Sequence, residues 1–231
     1  QLVHMLSPDF LLHHALYGSV VVGFVCPLVG VYLVLRRLVF WGVALPQTSA
    51  AGISFALMLQ GFGWLALKGG EQHERHLAIV GAVLFTLGAI VLLQWLERRA
   101  VGSPEGRVGV LYALSAASAI LFVSWNAQGE TEMMSLLRGE LITLSESDFH
   151  AMLYALLGVS AACFLFRREF LLVSYDRDMA VALGRRAALW DLLLYGLMGV
   201  TISLGVMTVG PLVIFGLLVI PPMIALRWAR G

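Results

Sequence analysis

Apolar runs of about 20 residues recur along the chain, and several stop on charged clusters: Arg36-Arg37, Glu97-Arg98-Arg99 and Arg167-Arg168. An α-helix rises about 1.5 Å per residue, so roughly 20 residues cross the ~30 Å hydrocarbon core of a bilayer. Water is absent there, and a helix satisfies its own backbone hydrogen bonds. Charge is scarce enough to fit: 13% of the 231 residues are charged and 60% are hydrophobic, where a soluble domain carries roughly 25% charged residues. The expected fold is an all-α, polytopic integral membrane bundle in one domain, residues 1–231, with about seven transmembrane helices. The spans fall at about 14–35, 38–67, 77–96, 108–125, 149–166, 190–209 and 211–226. The second run is too long for one straight crossing and holds Gly42, Pro46, Gly52 and Gly61, so a kinked or partly broken helix is expected there.

Basic residues are retained on the cytoplasmic side during insertion. Seven spans put Arg36, Arg37, Arg98, Arg99, Arg107, Arg167, Arg168, Arg177, Arg185, Arg186, Arg227 and Arg230 on one side, and leave Lys68, Arg75 and Arg138 on the other. The reading places residue 1 outside and residues 167–188 in the cytoplasm. The acidic loop 126–147, with Glu130, Glu132, Glu140 and Glu146, faces outward. Scattered rather than clustered basic charge gives no footprint for nucleic acid. Cys26 and Cys163 lie inside apolar runs without CxxC spacing and read as small core residues. The chain opens on Gln1 rather than Met, so a longer natural chain is expected; no charged n-region followed by a cleavage site marks a signal peptide.

The longest polar interruption, 167–189, reads RREFLLVSYDRDMAVALGRRAAL. Ser174 or Asp176 can cap a helix by accepting from a first-turn N–H, and Gly184 suits the left-handed position that closes one. Residues 177–183 then form about two turns, too short to be stable without a packing surface. Two readings stand: a docking element for a soluble partner, or a solvated connector between spans.

Three other groups carry chemistry. Pro46, Gln47 and Thr48 in the second run bring oxygens and a freed carbonyl to mid-membrane depth, where they either line a translocation path or hydrogen-bond between helices. His73 and His76, three apart and flanked by Glu71 and Glu74, are candidate metal ligands or members of a solvated loop, 68–76; their spacing is not the HExxH of zinc proteases. Gly205, Gly210, Pro211, Gly216, Pro221 and Pro222 favour bent, closely packed helices. The sequence contains no GxxxxGK[ST] and no nucleophile elbow. The chain is therefore read as no enzyme, binding no cofactor itself, so that any ATP and Mg²⁺ are used by another subunit.

Several blocks share their order and spacing with one family. VYLVLRRLVFWG at 31–42, LYAL at 111–114, LLRGELITLS at 136–145, FLLVSYDRDMAVALG at 170–184 and the segment 209–221 resemble the membrane permease subunit of bacterial metal-ion ABC importers of the zinc/manganese/iron type. The resemblance implies a permease of the inner membrane that dimerises with itself or a relative, binds two cytoplasmic ATPase subunits and takes cargo from an external solute-binding protein. It makes 174–186 the coupling segment, with Tyr175, Asp176, Arg177, Asp178, Ala182 and Gly184 as ATPase-contacting positions. Where the family reads Gly-Asp-Ala-Leu-Ser-His, this chain has Gly42-Val43-Ala44-Leu45-Pro46-Gln47, so the implied path-lining positions carry Val43 and Gln47. Family members also continue for another span or two past Gly231. The alternative from the residues alone is a membrane scaffold or sensor that holds a soluble partner without transport.

Overall fold

A computed structural model describes residues 13–61, 71–99, 102–125 and 146–229. Among them every regular element is a helix: α1 His13–Leu35, α2 Trp41–Gly61, α3 Glu71–Arg98, α4 Pro104–Ser124, α5 Glu146–Leu165, α6 Arg167–Tyr175, α7 Arg177–Ala182, α8 Ala187–Val209 and α9 Pro211–Trp228. Six are long and apolar enough to cross a membrane, and α5 with α6, bent by 69° at their junction, makes up to seven. The expected spans therefore stand, with four local corrections.

The second run is one continuous helix from Trp41 through Pro46 and Gly52 to Gly61, not a broken one. Its excess length at the front is taken up by the turn at 36–40, where the Trp41 N–H donates to the Leu38 carbonyl at 2.9 Å. Residues 62–67 lie outside the described residues. The polar stretch read as a loop to residue 76 is helical from Glu71. The fourth helix starts ahead of the expected 108: the stretch 102–107 opens α4 at Pro104. Ser103 caps it, accepting from the Gly106 N–H at 3.1 Å, and proline at the first position loses no helical bond. Most of the acidic stretch expected to face outward, 126–145, lies outside the described residues.

The fourth difference is α6, a helix ahead of the capped segment that the expected spans did not include. Phe170 is fully buried, edge-on to Tyr32 of α1 at 5.7 Å and to Trp190 of α8 at 5.9 Å. Val173, one turn on, is buried with Ala180 and Ala187. Apolar residues at 166, 170 and 173 form one helical stripe, and the bend after Leu165 lays that stripe across the ends of α1 and α8.

Helices α2 and α8 form the centre. α2 packs on α3, α4, α8 and α9, while α8 packs on α1, α2, α3 and α9 and on the shorter α6 and α7. Without a hydrophobic drive between helices in lipid, such contacts rest on close packing. α4 presents Val110, Tyr112, Leu114 and Ile120 outward, as a face toward lipid or another subunit does.

Candidate translocation and coupling sites

The predicted segment at 174–186 folds as the sequence requires. Asp176 is extended (φ −146°, ψ 96°), and its Oδ1 accepts from the Met179 N–H at 2.8 Å. At the other end Gly184 has φ +73°, a conformation L side chains rarely adopt. The Gly184 N–H donates to the Val181 carbonyl at 2.9 Å and the Arg185 N–H to the Ala180 carbonyl at 3.0 Å, the paired bonds of a Schellman motif. Two turns of helix are thus fixed at both ends and seated through buried Ala180. Tyr175, Asp176, Arg177, Asp178, Ala182 and Gly184 are all exposed. So are the apolar side chains of Met179, Val181 and Leu183, each more than half exposed. Glu169 of α6 pairs with Arg185 at 3.1 Å, bracing the two sides of the segment.

The second site is split by the geometry of α2. Thr48 is buried against α4: its Oγ1 donates to the Ala44 carbonyl at 2.8 Å and lies 2.9 Å from Ser115 Oγ. Pro46 and Ser49 are buried as well. Val43 and Gln47, four apart and so on one helical face, are both partly exposed. Gln47 is thus partly exposed, whereas the Thr48 hydroxyl is engaged in helix packing. A further buried hydroxyl pair ties α8 to α3, with Ser203 Oγ donating to Thr86 Oγ1 at 3.1 Å and lying 3.2 Å from the Ala82 carbonyl.

His76 is exposed on the first turns of α3, and the side chain of His73 lies outside the described residues. Among the described residues no three His, Cys, Asp or Glu side chains gather as a metal site.

Sequence reading missed Arg36 as anything but a topological charge, and did not single out Asp191. Arg36 directly follows α1, and its side chain is 9% exposed. Its Nη1 donates to Asp191 Oδ1 at 2.6 Å and to the Tyr195 hydroxyl at 3.0 Å, and its Nε donates to Ser174 Oγ at 2.9 Å. The other oxygen of Asp191 faces Arg177 Nε at 3.3 Å. These groups, with Gln94 and Glu97 of α3, line a pocket of about 320 Å³. The ends of α1, α3 and α6 and the start of α8 therefore meet at one end of the bundle, with α7 upon it. One signal was legible: a carboxylate one turn into an apolar span needs a partner.

The pattern that defines the ABC 3 transport family matches residues 9–231. The chain is 22% identical over 220 residues to the manganese import system permease protein ScaB of Streptococcus gordonii, covering 95% of this chain and 73% of that protein. It is 23% identical over 230 residues to the zinc transport system membrane protein TroC of Treponema pallidum, covering 98% and 74%. Its fold is similar to the solved structure of PsaBC from Streptococcus pneumoniae in complex with Fab, with a TM-score of 0.73 and 22% identity over 95% of this chain and 73% of that one. The chain thus spans about three quarters of the length of these relatives. Matched from residue 9 to its last residue and folded as a bundle of membrane-crossing helices, this chain belongs to the ABC 3 transport family and is a multi-pass membrane permease, a transport subunit and not an enzyme.

Proposed function

We propose that the chain forms the translocation path of a bacterial inner-membrane importer for a transition-metal ion or metal chelate. It pairs with a second permease subunit, the pair carries two cytoplasmic ATPase subunits, with α7 as this chain's docking helix, and cargo comes from an external solute-binding protein. ATP and Mg²⁺ belong to the ATPase subunits; this chain holds no cofactor. The relatives named for manganese and zinc support the cargo class. In this reading residue 1 is outside and residues 167–188 are inside.

One observation carries the assignment of the coupling segment. A two-turn helix capped at both ends, with Met179, Val181 and Leu183 exposed, sits on the arginine-rich end of a membrane bundle. A solvated connector has no need of an exposed apolar surface, whereas a docking element buries it against its partner. ATP-driven closure of the ATPase subunits then pushes on α7, and the bundle alternates between outward and inward access. Transport is directional because the two states hold cargo with different affinity.

Along α2 the path residues are Val43 and Gln47, with Pro46 behind them. Gln47 offers a neutral amide oxygen, and Val43 offers no ligand. A bare divalent ion finds neither a carboxylate nor an imidazole there, while a chelated ion keeps its own donors. The test of the docking assignment is assembly. Asp176→Ala and Gly184→Val should weaken retention of the ATPase subunit on purification in detergent while the permease stays monodisperse. Full retention by both variants would refute it.

A further inference from the structure

Arg36 reaches two helices, α6 and α8, with one side chain. It closes α1, and the next residue, Arg37, has φ +59°, the left-handed region that costs a non-glycine residue conformational energy. That geometry is held by the Arg37 N–H donating to the Val34 carbonyl and the Leu38 N–H donating to the Leu33 carbonyl, both at 3.0 Å. The Arg36 guanidinium therefore leaves a fixed helix end in a fixed direction. It meets Ser174 near the end of α6 and Asp191 and Tyr195 on α8. Its carbon also lies 5.0 Å from the centroid of the Tyr195 ring, which stacks on Trp41 of α2 at 5.2 Å.

The contacts grade from inside to outside. The Arg36–Asp191 pair is buried, with side chains 9% and 12% exposed. The Arg177–Asp191 pair is longer, 3.3 Å, and Arg177 is 60% exposed. A buried, hydrogen-bonded pair resists separation, whereas an exposed pair is weak and readily exchanged. The chain of charges is thus rigid where it enters the bundle and labile where it meets α7. Arg36 Nη2 is buried without a hydrogen-bond partner among the described residues, so the network holds a donor in reserve, and Gln94 and Glu97 line the same pocket.

We infer that Arg36 and Asp191 are positioning residues of the transport cycle: they carry displacement of the α6–α7 segment into α1 and α8. The inference rests on the reading of α7 as the ATPase docking helix. It differs from that reading in its consequence, because loss of the pair should spare docking and abolish transmission. Removal of a merely structural pair would leave the conformational response of the assembled transporter intact, whatever it did to stability.

The test uses the full transporter, permease with its ATPase subunit, in lipid nanodiscs. Nitroxide labels at Tyr17→Cys on α1 and Leu212→Cys at the start of α9, both exposed, report distance by pulsed electron resonance with and without ATP. Cys26 and Cys163 are buried and stay unlabelled. The wild-type pair should shift its distance distribution on ATP binding. Asp191→Asn should retain the ATPase subunit and lose most of that shift, and Asp191→Glu, which keeps the charge, should restore most of it. A full shift in Asp191→Asn with the ATPase retained would overturn the inference, as would a wild-type pair that does not respond to ATP. If Asp191→Asn fails to assemble, Tyr195→Phe removes one hydroxyl and keeps the ring on Trp41; it should lose about half the shift, and an undiminished shift overturns the inference equally. Retention of the ATPase by both Asp176→Ala and Gly184→Val would instead defeat the docking reading on which the inference rests, so the two failures are distinguishable.

Discussion

Gly52 of α2 and Gly81 of α3 lie backbone to backbone: a side-chain carbon built on either one would collide with the carbonyl of the other. Helices in lipid associate through such close approach, and α2 is the most buried of the candidate spans. Gly52→Val should therefore force the two helices apart, costing about 1–3 kcal/mol or more, as overpacking of a filled interior does. Thermal unfolding of the detergent-purified permease checks this. Gly88, also on α3, has open space around it, so Gly88→Ala should leave the melting temperature unchanged and serves as the control.

The cap of α7 makes a second prediction. Loss of an Asp cap costs about 0.5–2 kcal/mol of helix stability, which a helix of six residues cannot absorb. Asp176→Ala should leave the bundle's melting temperature unchanged and lower ATP-driven uptake by about tenfold, the factor matched by about 1.4 kcal/mol. Asp176→Asn, which keeps a capping oxygen, should retain most of the uptake.

Thr48 and Gln47 are adjacent in sequence and predict opposite phenotypes. Thr48→Val removes a hydroxyl bonded within α2 and facing Ser115. Interhelical bonds of this kind contribute roughly 0.6–1.7 kcal/mol, so stability should fall by about that much while uptake per folded transporter persists. Gln47→Leu leaves the Thr48–Ser115 contact in place and changes a partly exposed side chain, so it should impair uptake without lowering stability. The pair is checked by melting temperature and vesicle uptake on the same preparations.

The buried Arg36–Asp191 pair predicts a non-additive energy. Removing one partner strands the other, at a cost of about 3–5 kcal/mol, whereas replacing both with apolar residues of similar size is often near neutral. Asp191→Leu and Arg36→Met should each be severely destabilising. The double variant should be more stable than either alone, as a double-mutant cycle in melting temperature would show.

What was legible in the sequence follows from range. Apolar runs placed the crossing helices to within a few residues, because length and hydrophobicity alone decide a span. Asp176 and Gly184 marked a helix between them, because both act on backbone a few residues away. The start of α4 was also written locally, in Ser103-Pro104-Glu105, a capping residue and a first-turn proline ahead of the apolar run. The stripe of Phe166, Phe170 and Val173 was likewise present, hidden by the charges at 167–169. Arg36 and Asp191 are different: they lie 155 residues apart, and no local signal joins them. Burial separates Thr48 from Gln47, and a helical period alone does not say which neighbours α2 will have.

The most direct measurement is ATP-dependent uptake by the assembled transporter in vesicles, with its external binding protein. Zinc, manganese, iron and copper are offered as free ions and as chelates. A metal importer with its path along α2 should accumulate one of these metals, and Gln47→Leu should reduce that uptake. A complex that assembles, hydrolyses ATP and accumulates none of these ions or chelates would contradict the proposed function.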